Sequence, residues 1–161
     1  MRRSWLAASV LAGALAVCTG SAHADGKSLF VTNCAVCHQA DGKGVAGVYP
    51  PLTGSLGRYV ALKEGRAYLI DVVSFGMNGK VDVGGDTIEG DMPPWPQLKD
   101  QDVAAVLDYV LAGLNAGALP RGFTPITAAE VKAERSRMLS ATQVHDERDL
   151  VVKGLHAKTA N

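Results

Sequence analysis

The chain has 161 residues, 16 basic and 16 acidic side chains, and an apolar share of 47%. That balance excludes the basic face a nucleic-acid binder needs, and three cysteines are too few for a disulfide framework. The length suits one compact domain.

In chain order, Met1-Arg2-Arg3, an apolar run from Trp5 through Val17, and Ala22-His23-Ala24 form the charged, apolar and small-residue regions of a secretory signal peptide. Residues 1–24 are therefore expected to be removed. The loss of Arg2 and Arg3 leaves 14 basic residues against 16 acidic ones. A lipoprotein reading of Cys18 wants a small residue before it, where Val17 stands. No later apolar stretch approaches the length of a membrane span.

Residues 25–114 read as the functional domain. Asp25 to Cys37 reads as a helix with Leu29, Phe30, Asn33 and Cys34 on one face, its start capped by Asp25 or Ser28. Within it, Cys34-Ala35-Val36-Cys37-His38 matches C-x-x-C-H, the attachment signature of a c-type haem. The two thiols can add to the two vinyl groups of one porphyrin, and the adjacent imidazole then lies under the iron as its proximal ligand. The alternatives are weaker. Zinc would need a second pair of ligands, a thioredoxin-like dithiol would need a βαβ frame, and a disulfide across two residues is rare. One haem c, covalent through Cys34 and Cys37, is the expected cofactor, and it would supply part of a small core.

Gln39 to Leu56 is rich in Gly and Pro and reads as loop. Glu64 to Phe75 returns to helical spacing, and Gly76-Met77-Asn78-Gly79 ends it. Val81 to Gln97 reads as irregular, with only Val81-Asp82-Val83 alternating, which is too short to build a sheet. A helix opening at a cap on Asp100 carries Val103, Val106, Leu107, Val110 and Leu111 on one face and stops at Gly113. The whole reads as all-α, three main helices and long loops around one haem.

Residues 115–161 read as a linker and a C-terminal helical tail. Thr127 with Glu130 and Ser140 with Gln143 match capping boxes, each opening a charge-rich segment with few apolar residues. Two short, marginal helices are expected, outside the haem core and dispensable for haem chemistry, lying on the haem domain, a sister chain or a catalytic subunit, with a disordered tail as the alternative.

A haem with His38 alone would be open to small ligands. A thioether as sixth ligand closes it and suits electron transfer. Met77 sits between glycines at a helix end, and Met92 precedes Pro93, which biases it toward extended backbone. Met138 reads as a packing residue, and His145 and His156 as surface histidines.

From Asp25 to Gly113 these residues resemble the class I (monohaem) cytochromes c, the small periplasmic bacterial type. Gly26 and Phe30 lie where that family's first helix does, with Tyr109 on the last helix placed to meet them. The resemblance implies that a proline carbonyl in the loop of Pro50 and Leu52 accepts the His38 imidazole N–H, with Pro51 as competitor. It also implies that Met92-Pro93-Pro94-Trp95 is the axial methionine loop, so that His38 and Met92 hold the iron and Trp95 borders the haem. Periplasmic electron transfer follows, as a carrier and not an enzyme, with a periplasmic redox protein or a catalytic dehydrogenase or oxidase subunit as partner. A fixed haem subunit of an oxidoreductase complex and an open-site haem enzyme or sensor are the rival readings. The expected docking face surrounds Val36, Gln39 and Val45.

Overall fold

A computed structural model describes residues 25–159. The signal peptide expected over 1–24 lies outside the described residues.

The first helix is two. Helix α1 (Gly26–Asn33) and the single turn α2 (Ala35–His38) meet at Cys34, whose φ of −106° and ψ of −33° break the run. A loop and a 3-10 stretch (Leu56–Ala61) lead to α3 (Lys63–Phe75), whose buried side chains include Tyr68, Leu69, Ile70 and Val73. Helix α4 (Asp100–Asp108) continues as a π turn through Gly113. Its cap falls on Lys99, not Asp100: the Asp102 carboxylate accepts the Lys99 N–H at 3.1 Å. Asp100 is freed to pair with Arg135 at 2.8 Å.

Helices α1 and α4 cross where Phe30 meets Tyr109, ring centroids 5.4 Å apart. Phe30, Val106 and Val110 form a small core of their own beside this crossing. The main core joins α3 and α4 through Leu69, Ile70, Val103, Leu107 and Leu111.

Two expectations are corrected. The segment read as irregular contains a hairpin, β1 (Met77–Val83) paired antiparallel with β2 (Asp86–Met92), so the fold is mostly helical and not purely α. Gly84 and Gly85, at φ 64° and 94°, form the two-residue turn that such strand twist requires. The register pairs Met77 with Met92, Gly79 with Gly90 and Val81 with Ile88. Met77 therefore begins a strand and Met92 ends one.

The tail is the second correction. Helix α5 (Ala128–Arg135) is short, at eight residues, but α6 (Ala141–Thr159) runs 19 residues. Both capping boxes form, Glu130 N–H to Thr127 Oγ1 at 3.2 Å and Gln143 N–H to Ser140 Oγ at 3.3 Å. Their apolar residues do not stand apart from the core: Ile126, Val131, Val144 and Val151 are buried in the same cluster as α3 and α4. Helix α6 also lies along the outer edge of β1, where His145 Nε2–H donates to Lys80 O at 2.6 Å and Arg148 Nη2 to Asp82 O at 2.8 Å. Covering an edge strand with a helix satisfies carbonyls the hairpin leaves open.

Candidate haem site

The α1–α4 crossing fixes where the chain emerges at Cys34, and one turn of α2 then delivers Cys37 and His38 to the same side. His38 is buried, and its Nδ1 lies 2.9 Å from the carbonyl oxygen of Pro50. It is Pro50, not Pro51, that meets the ring. With Nδ1–H donating there, the lone pair on Nε2 is free for a metal. Burial lowers the His38 pKa, opposed by the Pro50 bond, so the ring is neutral and in its ligating form near neutrality. Burial, helped by Cys37, pushes the Cys34 thiol up to about 11. Neither cysteine is in a disulfide, and among the described residues no group of three or more His, Cys, Asp or Glu side chains is placed to hold a metal ion.

His38 opens onto two adjoining hollows of about 260 and 120 Å3, which share Cys34, His38, Pro50, Met77, Val81 and Met92 as walls and are the two parts of one site. A flat apolar macrocycle needs such a concave, largely apolar site with a few placed polar groups. The far wall is the hairpin. Alternate residues of a strand share a face, and here Met77, Gly79 and Val81 with Ile88, Gly90 and Met92 line the cavity as three cross-strand pairs. Cys37 and Trp95 border the first part, Leu52 the second. The structure thus gathers the expected site residues around one cavity and adds Met77 beside Met92. Met138 is far from any such role, 84% exposed between α5 and α6.

Three contributors go unread in the sequence. Asn115, just past the π turn that ends α4, is buried and donates from Nδ2 to Leu52 O at 2.6 Å and to Val110 O at 2.9 Å, pinning the proline loop to the helix behind it. A polar residue following Gly113 and before a linker is the available signal. Tyr68 on α3 donates its hydroxyl to Met77 Sδ at 3.6 Å, and burial holds that phenol well above its ordinary pKa and so protonated. Arg148 reaches the cavity from α6.

Residues 23–113 match the family model of cytochrome c. The chain is also 40% identical over 148 residues to one cytochrome c-552 of Thermus thermophilus, covering 92% of this chain and 96% of that one. A second Thermus thermophilus cytochrome c-552 is 40% identical over 125 residues, 78% of this chain and 95% of its own. A buried neutral imidazole beside two cysteines, facing an apolar slot, is the arrangement a covalently bound porphyrin requires, and the relatives agree with it: the chain belongs to the cytochrome c family, an electron carrier with haem c and not an enzyme.

Proposed function

We propose that this cytochrome carries single electrons in the periplasm, its iron held between His38 and Met92. Bound haem c supplies the one-electron couple between iron(III) and iron(II). The chain's own residues do the rest. Cys34 and Cys37 tether the ring, Pro50 orients His38, and the apolar hairpin face excludes water, which narrows the reorganisation that electron transfer must overcome. The observation that carries the axial assignment is the pairing of Met92 with Met77 across the mouth of the hairpin. Of these two sulfurs that face the cavity, Met77 Sδ is already engaged by the Tyr68 hydroxyl at 3.6 Å. Met92 is followed by Pro93, which has no N–H and holds the chain extended past the cavity.

Met92→Ala should abolish the sulfur-to-iron charge-transfer band of the oxidised protein and lower the potential, because a thioether favours iron(II). Met77→Ala should keep the band. The reverse result would move the ligand to Met77.

Export supports the periplasmic reading through the charged start, apolar run and Ala22-His23-Ala24 of the leader. Among the described residues no helix is long and apolar enough to cross a membrane. For the partner face, Val36 is exposed beside the tethering cysteines, where it also borders the cavity, and Val45 is exposed as well. An apolar patch at the thioether edge suits brief, weak docking of a redox protein. The fixed-subunit alternative leans on a free charged tail, and here the tail's apolar stripe is spent on its own chain.

A further inference from the structure

Haem c brings two propionate carboxylates to a cavity whose walls are mainly apolar. Such carboxylates are costly to desolvate unless a cation or strong donors meet them. Among the described residues that line the two parts of the cavity, Arg148 is the sole lysine or arginine.

Its position on α6 is unusual. Val144, Arg148, Val151 and Leu155 follow one stripe of the helix, and the valines on either side of Arg148 are 0% and 1% exposed. A guanidinium thus occupies a place where an apolar side chain would pack. The Arg148 side chain is only 10% exposed, yet its acidic neighbour is weak: Nη1 stands 3.9 Å from Asp149 Oδ1, on a side chain that is 51% exposed. Nη2 donates to Asp82 O. A guanidinium has five donors in a rigid fork, and these two contacts leave most of the fork for something else. The phenols of Tyr59 and Tyr68, rings 5.9 Å apart, lie in the field of this cation and also border the cavity.

We propose that Arg148 is the cationic anchor of a haem propionate, so that the C-terminal helix completes the haem site instead of merely decorating it. Residue 148 lies beyond the stretch 23–113 that matches the family, so the contact is an addition to the family's domain. The 148-residue match to the Thermus thermophilus relative is too long to stop short of the tail. The proposal rests on haem c and not on which methionine binds the iron.

The test is potentiometry of the purified holoprotein across pH. Arg148→Gln keeps an N–H donor for Asp82 O but removes the charge. Loss of a cation near the ring favours iron(III), so the midpoint potential should fall. The pH-dependent step of the potential, which reports the propionate, should move upward by about 1–3 pH units, the usual span for a carboxylate that loses an arginine. A curve that superimposes on the wild type, with only stability lowered, would overturn the proposal and leave Arg148 as a cap for β1. Arg148→Lys, the milder variant, is read by the haem propionate bending mode in resonance Raman. The mode shifts if the fork holds that carboxylate, and an unchanged mode refutes it. The sulfur-to-iron band of the same samples reports axial ligation separately, so failure of the Met92 assignment and failure of this proposal have different signatures.

Discussion

Replacing Gly26 by alanine tests the crossing that positions the haem motif. In an isolated helix the change favours folding by about 0.5–1 kcal/mol, because glycine loses more backbone freedom. Here a Cβ at Gly26 would stand 2.8 Å from the carbonyl carbon of Ala105 on α4, closer still to its oxygen, and 3.1 Å from Tyr109 Cβ. Carbon atoms settle about 3.5–4.0 Å apart, and two of these three neighbours are backbone that no rotamer change can move. The helices must part by more than half an ångström, and Phe30 must loosen from Tyr109. Overpacking of this kind costs about 1–3 kcal/mol, a substantial part of the roughly 5–15 kcal/mol that holds a domain folded. Guanidinium unfolding of the holoprotein, followed at the main haem absorption band, should show the midpoint lowered by about 0.3–0.7 M at unchanged slope. Gly117→Ala, where an added Cβ meets nothing within 4 Å, is the control and should be near neutral. A Gly26→Ala midpoint at or above the wild type would refute the close crossing.

Two further outcomes follow from surfaces and charges. Asp71 on α3 is wholly buried, with Oδ2 2.8 Å from Arg137 Nη1, and Arg137 also pairs with Glu147 and Glu134. Burial, then the Glu147 carboxylate, raises its pKa well above the ordinary range against the pull of Arg137. A raised folded pKa means that the native state binds the proton more tightly. Its contribution to stability is whole below the ordinary carboxylate range and is lost as pH rises through the folded value. Asp71→Asn should remove that downward slope, at most about 1.4 kcal/mol per pH unit for one proton, as measured by thermal melts from pH 4 upward; a slope equal to the wild type's would show that Asp71 is not the titrating group. Val45→Asp, in the exposed patch at the thioether edge, should slow electron exchange with a redox partner and leave the visible spectrum as it is, and an unchanged exchange rate would move docking to another face.

What can be read from the residues is the chemistry that must be contiguous. Cys34, Cys37 and His38 are legible because two thioethers and a ligand under one iron demand adjacent positions. Helix α4 is legible because its stripe packs on protein, and the capping boxes because their bonds are local. The hairpin is hidden for the opposite reason. Its inner face, Met77, Gly79 and Val81 against Ile88, Gly90 and Met92, lines the cavity suited to the cofactor, with only Val81 and Ile88 buried by side chains. Glycines at the middle pair erase the alternation that normally marks a strand. Gly84-Gly85 between short alternating runs is the surviving signal. Asn115 bonds Leu52 O, 63 residues away, and Tyr68 meets Met77 across the end of a helix, and no periodic pattern announces either contact.

The tail is hard to read because of one residue. With Arg148 in the stripe of Val144 and Val151, α6 looks like a solvated helix, yet that arginine is nearly buried. Its guanidinium and the ring of His145 hold the outward carbonyls of β1 at Asp82 and Lys80. The same strand begins at Met77, whose partner across the hairpin is Met92. Any force that lifts α6 would therefore slacken the strand pair that carries both sulfurs and withdraw the cation from the cavity in one motion. Helix, hairpin and ligand are mechanically in series, and this is a reason for a charge to persist where a leucine would pack more cheaply. An apolar replacement at 148 would gain burial and lose both the strand's edge and the counter-ion, so the sign of its effect on stability and the sign of its effect on the potential need not agree.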